Sequence, residues 1–372
     1  MEQKPVILFE SFPPFSGSSL EVYNELERLH YNDKYDFVWA VFSDFNEKTK
    51  YKTVKFFGPG CNNIEKRNIL NRTKLIIDSN MLINKPNNNV HRIHLRHGCG
   101  IKNCSRVYFA NIGNVDAIIA TSQELTDAEK KYWPAAVHNK FIITGLPSND
   151  RLFTKIDLYS NGFIKELTNT DNKFDKIIGW LPTFRTHRFG GRPRSGKKFN
   201  YGLPILNTEK DFINLNDALK SINTLLMVQQ HHGQMKDYKE PPKLSNIVYI
   251  TEKIKTKYEI TTHSLMSVFD ALITDYSAAY NEFIILNRQI GLTIDDLVEY
   301  SKGEGFCYNY LDWYKGEYIL DTNTLIKFIN HVKNNNDLYK QDREQSLHKM
   351  HKFIDNKSTE RVVNYILENN FI

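Results

Sequence analysis

The sequence predicts an α/β protein built from two parallel-sheet domains, and three observations lead there. The chain has 372 residues, more than one ordinary domain of ~100–200 residues holds. Short apolar runs of strand length alternate with apolar patterns of helical length along most of it, as in a mostly parallel sheet covered by helices on both faces. A polar, strand-poor stretch at Asn161–Lys173 interrupts that alternation, which sets the domains at residues 1–165 and 166–372, with the last helices able to pack back on the N-terminal one.

In the first half, the unbroken apolar run Val6–Phe9 reads as a buried strand. Ser18–Leu29 follows as a helix, with Ser18 and Glu21 spaced as a capping box. Strands are expected at Tyr35–Phe42, Lys52–Phe57, Lys74–Ile77, His91–Leu95, Val115–Ala120 and Lys140–Thr144, with helices at Ile64–Asn71 and Gln123–Tyr132. The second half repeats the pattern. Its strands are Lys176–Trp180, Thr224–Gln229, Ile247–Ile250, Ala271–Thr274 and Gln289–Leu292, alternating with helices near Asp211–Ile222, Ser264–Phe269 and Ala278–Leu286. Helices at Asn323–Lys333, Leu338–Phe353 and Thr359–Glu368 close the chain.

Composition narrows the function classes. Hydrophobic residues make up 41%, with Phe 23 and Tyr 20, enough for sizeable cores. The net charge of +6 suits anionic substrates or an anionic membrane surface but is too small to argue for nucleic acid, and no RNA-binding or zinc-finger signature occurs. Cys61, Cys99, Cys104 and Cys307 have no paired spacing, as expected in a reducing compartment. No 18-residue apolar run and no signal-peptide core are present, so the expected location is the cytoplasm, with the inner face of the membrane as a peripheral site. The first strand is not followed by GxGxxG, which argues against a dinucleotide cofactor.

Two parallel sheets imply a cleft lined by the carboxyl ends of their strands, so chemistry is sought there. His97 follows the strand at 91–95 and is a candidate general base, with a hydrogen-bonded structural histidine as the rival reading; Gly98 permits close approach by a ligand. His91, His94 and His97 step by three, which does not bring all of them to one strand face, so no metal trio is expected. Gly145–Asp150 is turn chemistry. Leu181–Arg185 places Thr183 and Arg185 after another strand, with Arg185 a candidate phosphate clamp. The basic stretch that follows (Arg188, Arg192, Arg194, Lys197, Lys198) reads as a solvated loop or as a docking loop for polyanionic acceptor or acidic lipid. Gln230-His231-His232 ends the strand at 224–229, and His231 is favoured to face the cleft. Asp275-Tyr276-Ser277-Ala278 turns a strand into a helix capped by Ser277, which reads either as a phosphate-binding helix start or as an ordinary strand-to-helix turn, and Glu282 on that helix could hold a polyol hydroxyl or lie on an exposed face.

Taken in order, these groups resemble the CDP-glycerol:poly(glycerophosphate) glycerophosphotransferase family, the teichoic-acid primases and polymerases and their capsule relatives. The family's ILFES strand, WHGTPLK-like turn, GxPRND, APTFR, strand-end histidine, ITDYSS…D/E-F, GFYFDY…G and D…S-ERV correspond here to Ile7–Ser11, Arg96–Lys102, Gly145–Asp150, Leu181–Arg185, Gln230–His231, Ile273–Phe283, Gly305–Tyr310 with Gly316, and Asp355–Val362. Departures are Arg96 for the tryptophan, Cys99 and Gly100 for the threonine and proline, Ala278 for the second serine, and a longer basic loop.

The resemblance implies a glycosyltransferase-B-like fold, with an N-terminal acceptor domain and a C-terminal donor domain facing an interdomain cleft. It implies transfer of glycerol phosphate from CDP-glycerol to a hydroxyl of a lipid-linked or polymeric anionic acceptor, teichoic-acid-like or capsular, releasing CMP. His97 would take the hydroxyl proton, and His231 would hydrogen-bond the transferring phosphoryl group or assist the leaving group. Gly98, Thr183, Arg185, Asp275, Tyr276, Ser277, Ala278 and Glu282 would bind substrate, with no metal and no cofactor beyond the substrate itself. CDP-ribitol as donor, a nucleotide-sugar glycosyltransferase, and a non-catalytic polyanion-binding protein are the alternatives.

Overall fold

The computed structural model describes residues 3–42, 49–57, 60–98, 100, 102, 114–185, 195, 197–230 and 238–372. The chain forms two compact units: Met1–Cys99, Cys104–Phe153 and His351–Ile372 in the first, Gly100–Asn103 and Thr154–Met350 in the second. The polar stretch expected to be a linker lies inside the second unit and carries a short helix, Phe163–Thr168, whose Phe163 and Ile164 are buried. Two apolar side chains anchor what composition alone marks as a connector.

The first unit runs β1 (Val6–Glu10), α1 (Gly17–Arg28), β2 (Asp36–Val41), β3 (Thr53–Lys55), α2 (Asn63–Arg72), β4 (Thr73–Asp78), β5 (His91–His94), β6 (Ala117–Ala120), α3 (Gln123–Lys130) and β7 (Phe141–Ile143). Its strands form one seven-stranded sheet in the order β3-β2-β1-β4-β5-β6-β7, parallel throughout. All of β1 is buried, because a central strand is covered on both faces and tolerates no alternation. The capping box expected in α1 is absent. Ser16 is its N-cap residue, Ser18 Oγ donates to Ser148 Oγ at 3.3 Å, and Glu21 pairs with Arg151 at 2.9 Å. Tertiary partners took the side chains that spacing had assigned to the cap.

The C-terminal helix, Ser358–Glu368, returns to this unit. Its own N-cap residue, Lys357, makes no side-chain cap, and Asp150 from a distant turn does that work instead. Asp150 accepts from Ser358 N at 3.0 Å, Thr359 N at 2.8 Å and Thr359 Oγ1 at 2.6 Å. Gly145, at φ 80°, lets the helix start approach: a Cβ there would lie 2.4 Å from Ser358 Oγ.

The second unit contains α4 (Phe163–Thr168), β8 (Lys176–Trp180), α5 (Glu209–Ser221), β9 (Thr224–Val228), β10 (Ile247–Tyr249), α6 (Glu252–Lys257), α7 (Thr262–Met266), β11 (Ala271–Thr274), α8 (Ala278–Phe283), β12 (Gln289–Thr293), α9 (Leu297–Gly303), α10 (Tyr310–Trp313), β13 (Glu317–Ile319), α11 (Thr322–Lys333) and α12 (Lys340–Met350). Its six strands are again all parallel, in the order β10-β9-β8-β11-β12-β13. Both sheets therefore follow the doubly wound Rossmann order, and both reverse direction at one point: between β1 and β4, and between β8 and β11. The short edge strand β13 is not apparent in the sequence. Its Glu-Tyr-Ile is partly polar and, among the described residues, pairs with β12 alone.

Candidate functional site

In open parallel sheets ligands gather outside the carboxyl ends of the strands at the reversal point. In the second unit that point joins the end of β8 to the end of β11, and the sequence motifs Leu181–Arg185 and Asp275–Ala278 meet there. Asp275 is fully buried and binds both strand ends: Thr183 N donates to its carboxylate at 2.9 and 3.0 Å, and Tyr276 N at 2.6 Å. Tyr310 Oη donates to the Asp275 carbonyl at 2.9 Å.

Arg185 does not stand open as a phosphate clamp. Only 1% exposed, it donates from Nη1 to Asp275 Oδ2 at 2.8 Å, from Nε to Asp296 Oδ2 at 2.6 Å, and from Nη2 to Asp296 Oδ1 at 3.0 Å. Its guanidinium carbon lies 4.8 Å from the Tyr276 ring centre and 5.2 Å from that of Tyr300. Tyr276 Oη closes the group on Asp296 Oδ1 at 3.0 Å. Burial works against the guanidinium's charge, but the Asp275 and Asp296 carboxylates outweigh it and hold Arg185 above its ordinary range. Burial likewise opposes the charge of Asp296, and Arg185 still holds that carboxyl below its usual value. Arg185, Asp275 and Tyr276 thus serve the turn as a buried tie. Sequence reasoning missed Asp296, which follows β12 and carries no motif.

Several groups remain at this edge of the sheet. Thr183 Oγ1 is buried and has no hydrogen-bond partner among the described residues. Ser277 caps α8 by accepting from Ala279 N at 3.2 Å; with Ala278 it is only half-buried. Glu282 is also half-buried, and its Oε2 lies 3.1 Å from His263 Nε2 on α7, a neighbour the sequence did not suggest. His231 and His232 lie outside the described residues; beyond the end of β9, Tyr238 Oη donates to Gln230 Oε1 at 2.7 Å. A hollow of about 300 Å³ nearby is lined, among the described residues, by Ser195, Lys197, Asp295, Asp296 and Glu299, with Lys197 paired to Asp295 and Arg185 to Asp296.

In the first unit the expected strand at His91–Leu95 ends at His94, and the three histidines have different surroundings. His91 stacks on Phe371 at 4.4 Å between ring centres. His94 Nδ1 lies 2.6 Å from Asp78 Oδ1, both inside the core. His97 is exposed, in the turn beyond, between Arg96 at φ 58° and Gly98 at φ 82°. Arg96 pairs with Glu129 at 2.8 and 2.7 Å.

Behind that turn, at the reversal point of the first sheet, sits a buried charged group the sequence reading passed over. Arg92 Nε is 2.7 Å from Asp78 Oδ2, and Glu10 Oε2 accepts from Leu82 N at 3.2 Å. Burial, with the nearby Asp78 charge, pushes the Glu10 carboxyl up to about 8. The signal was an acid ending the apolar run Val6–Phe9. Among the described residues no group of three or more potential ligands could hold a metal ion, and no helix is long and apolar enough to cross a membrane.

Comparison with known proteins bears on the family and the fold. The chain is 25% identical over 69% of its length to the teichoic acid poly(ribitol-phosphate) polymerase of Bacillus spizizenii strain W23, and 27% identical over 72% to the teichoic acid glycerol-phosphate primase of Bacillus subtilis strain 168. The aligned part spans 38% and 60% of those relatives' own lengths. The fold matches the structure of the wall teichoic acid polymerase TagF with a TM-score of 0.73 at 18% identity, covering 98% of this chain and 88% of that one. The family model described as CDP-Glycerol:Poly(glycerophosphate) glycerophosphotransferase matches residues 1–368. With that match taking in both sheets and every motif named above, the chain belongs to the CDP-glycerol:poly(glycerophosphate) glycerophosphotransferase family.

Proposed function

We propose that this protein transfers glycerol phosphate from CDP-glycerol to a hydroxyl of a teichoic-acid-like or capsular acceptor. The observation that carries the reading is the family match over residues 1–368. In the reaction the acceptor oxygen attacks the β-phosphorus of the donor. The bond from that phosphorus to the bridging oxygen breaks, CMP leaves with the bridging oxygen, and the hydroxyl proton goes to the His97 imidazole. The exposure of His97 beside a glycine supports that role. His231 is assigned to the transferring phosphoryl group. Ser277 and Thr183, both at the reversal point of the second sheet, are assigned to the donor's phosphates, with Gly98, Ala278 and Glu282 lining the substrates. Arg185, Asp275 and Tyr276 support the turn from behind. The reading requires no metal, so an excess of chelator is expected to leave turnover unchanged.

The test is product mass after incubation with CDP-glycerol and a synthetic glycerol-phosphate oligomer, run beside CDP-ribitol and a panel of nucleotide sugars. CMP release with growth of the oligomer by one glycerol phosphate is expected. The similarity to a ribitol-phosphate polymerase favours CDP-ribitol as the second donor to examine. Transfer only from a nucleotide sugar would overturn the reading. His97→Ala and His231→Ala should each lower turnover ~10²-fold or more in protein that remains folded, the scale of a lost general base. More than about a tenth of wild-type turnover in either variant would remove that residue from the mechanism.

A further inference from the structure

The turn that presents His97 is held in an unusual way. Arg96 adopts a left-handed backbone at φ 58°, a conformation that non-glycine residues seldom take, and Gly98 repeats it at φ 82°. Two consecutive reversals around one residue send neighbouring side chains in different directions: Arg96 is 5% exposed, whereas His97 is exposed. What secures Arg96 inside is Glu129, near the end of α3 and 2% exposed. The pair is bidentate, Nη1 to Oε2 at 2.8 Å and Nη2 to Oε1 at 2.7 Å. The guanidinium carbon also lies 5.6 Å from the centre of the Trp133 ring. A paired fork of this kind fixes orientation as well as distance, and separating two buried charges is costly. Moreover α3 follows β6, the strand beside β5, so the tie runs from the histidine turn to the next crossover of the same sheet.

We propose that Arg96 and Glu129 form a clamp that sets the direction of the His97 imidazole, which makes them positioning residues for proton removal from the acceptor. This inference rests on the transferase reading above. The clamp stores the strained turn in one geometry, where an unclamped turn would relax toward ordinary backbone angles and carry the ring away from the reacting oxygen. The pair acts as a unit, so losing either half already removes the clamp, and it leaves a buried charge unbalanced that losing both does not.

The experiment compares Arg96→Met, Glu129→Gln and the double variant by steady-state CMP release and by amide hydrogen exchange over residues 95–98. Each single variant is expected to lower kcat ~10-fold or more with the KM for CDP-glycerol within ~2-fold, as misplacement of a reacting group does. The double variant should be no worse than the weaker single one, and exchange at 95–98 should quicken while the rest of the sheet keeps its protection. Glu129→Gln, which keeps the shape, decides the matter if Arg96→Met fails to fold. Wild-type kcat together with wild-type exchange in folded Glu129→Gln would overturn the clamp, as would a fall in kcat matched by loss of protection across the whole unit. Should the wild-type protein release no CMP, the transferase reading falls, and exchange at 95–98 still reports whether the pair holds the turn.

Discussion

Arg185 sits between two carboxylates with almost no solvent, and its removal would strand both. Breaking a buried pair by deleting one partner costs roughly 3–5 kcal/mol, so Arg185→Met should lower the urea midpoint strongly. A variant with wild-type stability and lost CMP release would instead assign Arg185 to substrate. Glu10 presents the opposite case, a buried acid that burial and Asp78 keep protonated. Its carboxyl titrates at about 8 in the folded chain against 4.5 as the ordinary value. Between those pH values the native state holds a proton that the unfolded chain has released, so this group's contribution to stability falls as pH rises through the window. Glu10→Gln should therefore unfold like wild type near pH 4 and gain stability relative to it as pH approaches 8. Parallel stability curves for the two proteins would show that folding leaves the carboxyl's pKa at its ordinary value.

At the scale of elements, the motifs do two kinds of work. The turn at Gly145–Asp150 and the helix opening at Ser358 read as separate signals along the chain, yet they form one joint. Asp150 supplies the cap that Lys357 does not, and an N-terminal cap is worth about 0.5–2 kcal/mol. Asp150→Ala is expected to raise hydrogen exchange across 358–368 selectively, leaving β1 and β4 protected; unchanged exchange there would mean that packing alone holds the helix. Strands were legible because central parallel strands are continuous apolar runs, as in β1 and β11. Boundaries shifted where a side chain found a partner far away in sequence. Ser18 and Glu21 were spaced for a capping box and went to Ser148 and Arg151 instead.

For the whole molecule, two sheets with one winding order place the motif-bearing turns at their carboxyl edges. The basic residues Arg188, Arg192 and Arg194 lie outside the described residues. We propose that they draw the protein to an anionic membrane surface, where each basic residue contributes about 1 kcal/mol. Replacing all three by glutamine should reduce co-sedimentation with phosphatidylserine vesicles, most visibly at low salt; unchanged pelleting would exclude that loop. The sequence by itself determined the fold class, the position of most strands, and the turns where chemistry could reside, since periodicity and glycine or proline placement are local properties. Only the tertiary structure decided which polar side chains of those turns are spent inside. Arg185, Asp275 and Tyr276 are consumed by one another and by Asp296, and Arg96 by Glu129, because a buried charge must find its counterpart wherever the fold brings one, and no local pattern records where that will be.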